Sequence, residues 1–316
     1  MMGEPQRNRN APIAVTGAGG FIGSNLVASL RSTGHAVRAV FGPTDPISGL
    51  MPGDTVCDVL DRDRLRDAID GCRTVVHLAG PPSVARSFKQ PAMYCQVHAA
   101  GTATLLEVAN EAGLDRFVYI SSAEVYGQPD QNPVAESSTL NPVSPYGAAK
   151  AAAEWTVRAS AISNGHEAVI LRPFTVFGPG SAKHSLMNLI IKQALTDSAI
   201  RLMNLAPVRD YVFVNDAAAA IINACDMSLE ESVTGANLGR GVGISVRQLA
   251  ECVLNVVGRD IEILETGQPD RPQALDIYEL IADPSAAGRN LDWFPLTTLD
   301  DGIRQMLGEI QKAVSA

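Results

Sequence analysis

Short apolar runs alternate with stretches of helical periodicity over the first half of the chain. The runs lack polar–apolar alternation, which indicates strands buried on both faces of a parallel sheet. The predicted strands are Ile13–Thr16, Ala36–Phe41, Thr55–Asp58, Thr74–Leu78, Phe117–Ser121 and Ala168–Leu171. The predicted helices are Phe21–Arg31, Arg62–Ile69, Thr102–Ala112 and Tyr146–Ser163. Right-handed crossovers between these strands predict an α/β fold with a doubly wound parallel sheet.

The regular alternation weakens after about Gly180. Helical patterns continue at Ser185–Thr196, Asp216–Met227, Ser245–Val257 and Leu299–Val314. Strand-like pieces lie between them at Tyr211–Val214, Ala236–Leu238 and Ile261–Leu264. We therefore expect one domain at residues 11–180 and a smaller α/β lobe at residues 181–316, partly interleaved with the first.

Composition and charge narrow the class of protein. The chain has 316 residues, 46% of them hydrophobic, and a net charge of −9, which is typical of a soluble globular protein. The acidic balance argues against nucleic acid or an anionic membrane as the main partner, because both attract clustered Lys and Arg. No run approaches the roughly 20 apolar residues of a membrane span. The polar N-terminal residues lack the apolar core of a signal peptide.

The cysteines are odd in number, widely spaced and free of any C-x-x-C pair. They are Cys57, Cys72, Cys95, Cys225 and Cys252. We interpret them as reduced thiols, which favours a cytoplasmic protein, and we expect no metal site.

Three glycines spaced three apart follow the first predicted strand and open the first predicted helix. Gly17 permits a tight turn, Gly20 lets the backbone approach a pyrophosphate, and Gly23 allows close packing of helix on strand. The N–H groups at the start of the helix then face the phosphates. Because the strand and helix context is right, this turn predicts a Rossmann dinucleotide-binding domain at residues 11–180 and a substrate-binding lobe after it.

The choice between NAD and NADP stays open at this point. A carboxylate for the ribose hydroxyls usually ends the second strand, but here that strand ends at Phe41 and Gly42. Asp45 lies a few residues further on, and Arg38 suits a 2′-phosphate only if its side chain faces the site. Asp58 fits the adenine edge and a turn before the next helix equally well.

Tyr146 and Lys150 lie four residues apart, so on a helix they share one face. A nearby ammonium favours the phenolate and lowers a tyrosine pKa that starts near 10. A phenolate of this kind takes a proton from a substrate hydroxyl while hydride leaves its carbon for a nicotinamide. The strand before this helix ends in Ser121 and Ser122, at the edge where open α/β sheets bind ligands.

Ordered motifs run through nearly the whole chain. They are TGAGGFIG at Thr16–Gly23, HLAG at His77–Gly80, GTATLLEVA at Gly101–Ala109, SSAEVYG at Ser121–Gly127, SPYGAAK at Ser144–Lys150, LRPFTVFGPG at Leu171–Gly180, RDYVFVND at Arg209–Asp216, NLG at Asn237–Gly239 and Arg271-Pro272. With these motifs the chain resembles the extended short-chain dehydrogenase/reductase family, the NAD-dependent epimerase/dehydratases that modify nucleotide sugars.

The resemblance implies residue roles. Tyr146 would be the base, Lys150 would lower its pKa and hold the nicotinamide ribose, and Ser122 would hydrogen-bond the reacting oxygen. Glu124 is a further catalytic candidate. The implied cofactor-binding residues are Gly17, Gly20, Phe21, Ile22, Gly23, Asp58, Val59, Leu78, Ala79, Gly80, Ser121, Tyr146, Lys150 and Pro173. The implied substrate-binding residues are Ser122, Thr175, Arg209 and Arg271, the two arginines on the diphosphate. The alternative for these arginines is a surface salt bridge.

Departures from the family pattern bear on the reaction. His98 stands where the family usually has Asn, and we favour a helix residue bonded to a backbone carbonyl over a catalytic role. Thr175 replaces another usual Asn. Ala123 stands where sugar 4,6-dehydratases carry an acidic Asp, which argues against a dehydratase. The segments 204–208 and 273–274 also depart from the pattern and suggest an unusual sugar or aglycone, or relaxed selection on that lobe.

The first hypothesis is a nucleotide-sugar 4-epimerase that oxidises C4 transiently with a bound nicotinamide cofactor. The alternatives are an NAD(P)H-dependent 4-ketoreductase, a 4,6-dehydratase or decarboxylase that uses Glu124, and a cofactor-sensing binding protein. Family resemblance favours NAD slightly over NADP. It also implies a homodimer through the helices at Thr102–Ala112 and Tyr146–Ser163, unless their apolar faces only cover the sheet. The nucleotide and the sugar stay open.

Overall fold

The computed structural model describes residues 11–47, 49–267 and 277–315, with side chains up to residue 310. The strands are β1 (Ile13–Thr16), β2 (Val37–Phe41), β3 (Thr55–Val56), β4 (Thr74–His77), β5 (Arg116–Ile120), β6 (Glu167–Pro173), β7 (Thr175–Phe177), β8 (Ala199–Leu202), β9 (Val208–Phe213), β10 (Val233–Leu238), β11 (Gly243–Ser245), β12 (Glu262–Glu265) and β13 (Glu279–Leu280). The α-helices are α1 (Phe21–Ser32), α2 (Arg62–Ile69), α3 (Val84–Lys89), α4 (Pro91–Cys95), α5 (Gly101–Glu111), α6 (Pro145–Asn164), α7 (Leu186–Thr196), α8 (Val214–Asp226), α9 (Val246–Val257), α10 (Ser285–Leu291) and α11 (Leu299–Ser315).

Seven of these strands form one sheet in the order β10-β6-β5-β4-β1-β2-β3. Every neighbouring pair in it is parallel, which confirms the predicted doubly wound fold. The chain builds outward from β1 to β3 and then crosses to β4 on the other side of β1. The carboxyl ends of β1 and β4 therefore flank the crevice in which such sheets bind their ligands. β10, from beyond residue 180, pairs with β6 at the edge of this sheet.

Apolar helix faces cover both sides of the sheet. On one side α1 and α8 contribute Leu26, Leu30 and Ile221 to a core shared with the strands. On the other side α2 and α5 contribute Leu65 and Leu105. Because both faces are buried, the strands carry continuous apolar runs instead of alternating ones.

The second lobe has its own core. β9 is central to a small sheet with β7, β11 and β13 as partners, and β8 pairs with β12. Ile190, Leu249 and Ile303 from α7, α9 and α11 pack together beside β9. In the described part of the chain, no helix is both long and apolar enough to cross a membrane.

Several predicted helices agree closely with the observed ones. The predicted helix Arg62–Ile69 coincides with α2, and α1 and α6 begin within one residue of the prediction. No helix or strand was predicted from Val84 to Ala100, but this stretch contains two short helices and one π-helical turn. β7, β8, β11 and β13 were also not predicted. These strands have two to four residues each, and tertiary pairing rather than local pattern makes them strands.

Candidate active site

The glycine turn joins β1 to α1 in the conformation that the sequence requires. Gly17 has φ +71°, and a Cβ there would lie 2.8 Å from the Ala79 backbone nitrogen. A Cβ on Gly23 would lie 2.1 Å from the Gly17 carbonyl oxygen. Gly20 caps α1 without any side-chain hydrogen bond. The positive end of the α1 dipole is thus bare backbone, which suits a phosphate.

Two adjoining cavities lie around this turn. We call one the tyrosine cavity, because Tyr146 and Lys150 line it; its volume is about 360 Å³. The other is the aspartate cavity, lined by Asp45 and Asp58, with a volume of about 490 Å³. Residues that line both are Gly17, Gly20, Leu78, Gly80 and Pro82. The cavities therefore meet at the glycine turn, and together they fit an elongated ligand with phosphates at its middle.

The predicted cofactor residues divide between these cavities. Beyond the shared ones and the Tyr–Lys pair, the tyrosine cavity is lined by Phe21, Ile22, Gly23, Ser121 and Pro173. The aspartate cavity is lined by Asp58, Val59 and Ala79. The structure thus brings every residue of that predicted set to the walls of one continuous cleft.

Asp45 does reach back to the glycine turn. Its Oδ2 accepts hydrogen bonds from the backbone N–H of Gly42 at 2.8 Å and of Gly19 at 3.3 Å. The loop after β2 therefore delivers a carboxylate that the strand end itself lacks. Asp58 lines the same cavity. It also accepts a hydrogen bond from the Leu60 N–H at 3.0 Å, in the turn before α2. Its contact with an adenine stays a prediction.

Two arginines near this cavity have different surroundings. Arg38 donates to the carbonyl oxygens of Ala68 and Asp70 at the end of α2, so its side chain is not on the cavity wall. Arg86, on the unpredicted helix α3, does line the aspartate cavity and donates to Gln90 at 2.9 Å. Arg86 could not be singled out from the local pattern, because α3 has only six residues and shows no clear periodicity.

The Tyr–Lys pair is placed by the start of α6. Ser144 caps this helix by accepting from the Gly147 N–H at 3.0 Å, so Tyr146 lies in its first turn and Lys150 one turn later. Both side chains are buried and line the tyrosine cavity with Ser122. The Lys150 ammonium donates to the Ile120 carbonyl oxygen at 2.7 Å, which ties α6 to the end of β5.

Burial dominates the ionisation of this pair. It raises the pKa of Tyr146 to about 12, although a hydrogen bond with Ser122 opposes the rise. It lowers the pKa of Lys150 to about 7, although the charge of Glu154 opposes the fall. The sequence led us to expect a lowered tyrosine pKa. Desolvation of the phenolate by burial is the largest cause, and it raises the tyrosine pKa instead.

A buried network of polar side chains lies next to the Tyr–Lys pair. Glu154 accepts from Arg172 Nε at 2.9 Å and from Nη2 at 2.6 Å, and Ser121 donates to it as well. Arg172 also donates to the Tyr126 hydroxyl at 2.7 Å, which in turn donates to Asn237 at 2.7 Å. The network ties α6, β5, β6 and β10 together. Sequence reasoning missed Glu154, although it continues the Tyr146–Lys150 face at the same four-residue spacing.

His98 lies on the π-helical turn Gln96–Ala100. Its Nε2 bonds to the Pro81 carbonyl oxygen at 3.1 Å, as expected for a histidine that bonds a backbone carbonyl. Its ring centroid is 5.4 Å from that of Tyr146, with the rings edge to face. Burial lowers the pKa of His98 to about 3, so the imidazole is neutral. His98 also lines the tyrosine cavity.

Glu124, Thr175 and Arg209, which the sequence also singled out, are not among the residues that line the two cavities. Glu124 is in a short 3₁₀ turn whose N–H is capped by Ser122 at 3.2 Å, and its charge raises the pKa of Tyr146. Thr175 in β7 and Arg209 in β9 lie on paired strands of the second lobe, both half-buried. Arg271 and the segment 273–274 lie outside the described residues. Among the residues that are described, no cluster of His, Cys, Asp and Glu could hold a metal ion.

Comparison with known proteins identifies the family. Residues 13–237 match the model of the NAD-dependent epimerase/dehydratase family. The chain belongs to this family. It is 31% identical over 312 residues to a UDP-glucose 4-epimerase of Rhizobium meliloti (strain 1021), covering 91% of this chain and 93% of that protein.

Solved structures of this family give the same result. The UDP-glucose 4-epimerase of Thermotoga maritima, solved with UDP-glucose, superposes with a TM-score of 0.87 at 27% identity, over 96% of this chain and 99% of that one. A UDP-glucose-4-epimerase from Stenotrophomonas maltophila, with bound NAD and formylated UDP-arabinopyranose, gives 0.86 at 26% identity, over 97% and 100%. The predicted family and enzymatic nature of the chain are confirmed.

The residues present fit the nicotinamide dinucleotide of the family. Gly20 lines both cavities, and a Cβ there would meet only the Gly17 oxygen within 4 Å. The backbone is thus open toward the junction of the cavities, where a pyrophosphate needs close approach. The tyrosine cavity and the aspartate cavity lie on opposite sides of this junction, as the two nucleoside halves of a dinucleotide require.

Proposed function

We propose that this enzyme is a UDP-sugar 4-epimerase that works with bound NAD. The observation that carries the proposal is the convergence of Tyr146, Lys150 and Ser122 on one cavity that opens onto the glycine turn. The match to UDP-glucose 4-epimerases along nearly the whole chain supports the substrate class. Arg209, together with Arg271, is assigned to the substrate diphosphate because guanidinium groups pair well with phosphate oxygens.

NAD, when bound, supplies the acceptor for the C4 hydride and the donor for its return to the opposite face. Tyr146 takes the proton of the C4 hydroxyl during oxidation and gives it back on reduction. Ser122 hydrogen-bonds the same oxygen. Lys150 in its charged form stabilises the phenolate, and the neighbouring carboxylate of Glu154 favours that charged form.

Asp45 supports NAD rather than NADP. Its carboxylate lies against the glycine turn in the aspartate cavity, which is the side that would receive the adenosine half. A carboxylate there accepts hydrogen bonds from ribose hydroxyls and repels a 2′-phosphate. Arg38, the residue that could have served a 2′-phosphate, bonds instead to the end of α2.

Arg86 favours a second candidate, the NADPH-dependent 4-ketoreductase. Its guanidinium lies on the wall of the aspartate cavity and is suited to a phosphate in that compartment. A ketoreductase runs half of the epimerase cycle with the same Tyr146 and exchanges its cofactor at each turnover. The dehydratase or decarboxylase hypothesis has less support. Position 123 is Ala, which has no acidic group, and Glu124 is not among the residues that line the two cavities.

The bound cofactor distinguishes the two candidates. The protein is purified without added dinucleotide and denatured, and the released cofactor is identified by chromatography. Near-stoichiometric NAD, with conversion of a UDP-hexose to its C4 epimer in the absence of added cofactor, is expected. An empty protein that binds NADPH more tightly than NADH and reduces 4-keto sugars would support the ketoreductase instead.

We also propose a homodimer through α6. An exposed apolar stripe runs along this helix at alternating spacings of four and three residues, as in helix–helix interfaces. Its members are Ala148, Ala152, Trp155, Ala159 and Ile162. The side chains of Trp155 and Ile162 are 63% and 71% exposed. A second copy of this chain, packing the same helix against it, would bury them.

A further inference from the structure

The ammonium of Lys150 lies over the face of a buried aromatic ring. Its Nζ is 4.9 Å from the ring centroid of Tyr119, which belongs to β5. Tyr119 is fully buried, and Lys150 is 4% exposed. A cation within about 6 Å of an aromatic centroid is attracted by the partial negative charge of the ring face, and the attraction is strongest where water is excluded. Both conditions are met at this contact.

The end of β5 supplies two neighbours to the same ammonium. An ammonium group has three N–H donors and no acceptor. One of them donates to the carbonyl oxygen of Ile120 at 2.7 Å, and the ring of the preceding residue, Tyr119, lies beside it. In the part of the chain that the structure describes, Nζ makes no second hydrogen bond. The ring therefore occupies a side of the ammonium that no hydrogen-bond acceptor covers.

The titratable groups on the elements around Lys150 bring little charge to it. They are Tyr146 on α6, His77 on β4 and His98 on the π-helical turn. Burial raises the pKa of Tyr146 to about 12, lowers the pKa of His98 to about 3 and lowers the pKa of His77 well below its ordinary value. All three side chains are therefore neutral near pH 7.

Glu154 is the charged residue that favours the ammonium, but it does so from a distance. Among the described residues, no hydrogen bond or ion pair joins Glu154 to Lys150. The carboxylate of Glu154 instead accepts hydrogen bonds from Arg172 and Ser121, and the positive charge of Arg172 offsets part of its effect at Lys150. Apart from the Ile120 carbonyl oxygen, the ring of Tyr119 is thus the group that supplies negative potential beside the ammonium.

We propose that the ring face of Tyr119 holds Lys150 in its charged form beside Tyr146. Tyr119 is then a positioning residue, because it acts through Lys150 and is not among the residues that line the two cavities. The consequence for catalysis rests on the proposed function, whereas the contact itself can be tested without turnover. Burial raises the pKa of Tyr119 well above its ordinary value, so its ring stays neutral while Lys150 titrates.

Fluorination of the ring separates its electrostatics from its shape. Tyr119→Phe keeps the ring face, and phenylalanines with one, two or three ring fluorines can be incorporated at the same position. Fluorine withdraws electrons from the ring face and changes the ring size little, so these variants should keep the fold. The chain has five lysines. The spectrum of protein with carbon-13-labelled lysine is therefore simple, and the Lys150 signal is assigned by its absence in Lys150→Arg.

The titration midpoint of Lys150, followed by NMR, should stay close to that of wild type in Tyr119→Phe. It should then fall with each added fluorine, by about one pH unit for the trifluorinated ring. Loss of the attraction destabilises the charged form, so the ammonium loses its proton at lower pH. In the active enzyme, the alkaline limb of the kcat/KM profile should move to lower pH in the same order.

Fluorinated phenylalanines at Phe117 are the matched control. Phe117 is buried on the same face of β5, and its ring lies 6.0 Å from that of His77. Its ring does not lie over an ammonium, so fluorination there should leave the Lys150 midpoint in place.

A Lys150 midpoint that does not follow the fluorine series at Tyr119, or that moves equally with the series at Phe117, would overturn the inference. An active enzyme whose alkaline limb stays fixed while the midpoint moves would overturn the positioning role. A midpoint that follows the series, in a protein that converts no UDP-hexose to its C4 epimer, would support the contact and overturn the proposed function.

Discussion

Lys150 and Glu154 lie one turn apart on α6, and both charged side chains are buried, with 4% and 3% of their surface exposed. The carboxylate of Glu154 is held by two hydrogen bonds from Arg172, and its charge raises the pKa of Lys150 against the effect of burial. The positive charge of Lys150, beside Tyr146, is therefore favoured by a residue that does not line the cavity.

Replacing Glu154 by Gln should shift the pH dependence of activity. Burial already holds the pKa of Lys150 at about 7, and loss of the carboxylate lowers it further. The ammonium is then lost at lower pH, so the alkaline limb of the kcat/KM profile moves to lower pH. Steady-state rates measured from about pH 5 to about pH 9 detect this shift, because the range extends to both sides of the Lys150 pKa of about 7.

Glu167→Gln is the matched control for this shift. Glu167 is also paired to an arginine, with Arg116 Nη2 at 2.7 Å, but it lies at the opposite end of β6 from the site. It should lower stability and leave the alkaline limb in place. An unmoved limb in Glu154→Gln, or an equal shift in both variants, would show that Glu154 does not set the charge of Lys150.

The substitution Tyr146→Phe, which removes only the hydroxyl, should abolish most of the turnover. Loss of a general acid–base group costs about 10²–10⁴-fold in rate, whereas NAD binding should stay within about threefold. Tyr94→Phe is the matched control, because Tyr94 packs edge to face on Tyr146 and its hydroxyl donates to the Ser83 carbonyl outside the site. Comparable losses in the two variants would remove Tyr146 from the role of base.

The features that the sequence could predict are formed by residues that are close together along the chain. β1, the glycine turn and α1 follow one another directly, so the strand–turn–helix pattern can be recognised in one short stretch of sequence. The same holds for Tyr146 and Lys150, whose spacing places them on one helix face. The sheet, the cofactor cleft and the family were accessible in this way.

Other features depend on contacts between distant segments. Whether Asp45 reaches Gly19 is decided by the path of the loop after β2, and whether Arg86 lines a cavity is decided by where α3 docks. The pKa of Tyr146 depends on burial, which several elements create together. For such features the local pattern carries no signal, whereas Glu154 could have been found by extending the helical face by one more turn.

Asp45→Asn should weaken the discrimination between NAD and NADP. The amide keeps the size of the side chain but removes the charge that repels a 2′-phosphate, so the ratio of the two dissociation constants should fall by roughly tenfold. Asp58→Asn, in the same cavity, should change both affinities alike. Titration of cofactor-stripped wild type and both variants with NAD and with NADP gives the six constants. An unchanged ratio in Asp45→Asn would argue against its role in selecting NAD.

Trp155→Glu should separate the proposed dimer into monomers. The substitution puts a charge at the centre of the apolar stripe on α6, where burial without a partner is costly. Sedimentation velocity at micromolar protein measures the mass directly. Arg304→Glu, on the exposed face of α11, should leave the mass unchanged. A wild-type protein that sediments as a monomer would contradict the dimer itself.

The fate of the C4 hydrogen tests the central claim most directly. A UDP-hexose carrying deuterium at C4 is incubated in ordinary water with the enzyme and no added cofactor, and the product is analysed by NMR and mass spectrometry. If Tyr146 handles only the hydroxyl proton and the hydride returns to the same carbon, the C4 epimer keeps its deuterium. Loss of deuterium to water, or a product other than the C4 epimer, would contradict the account.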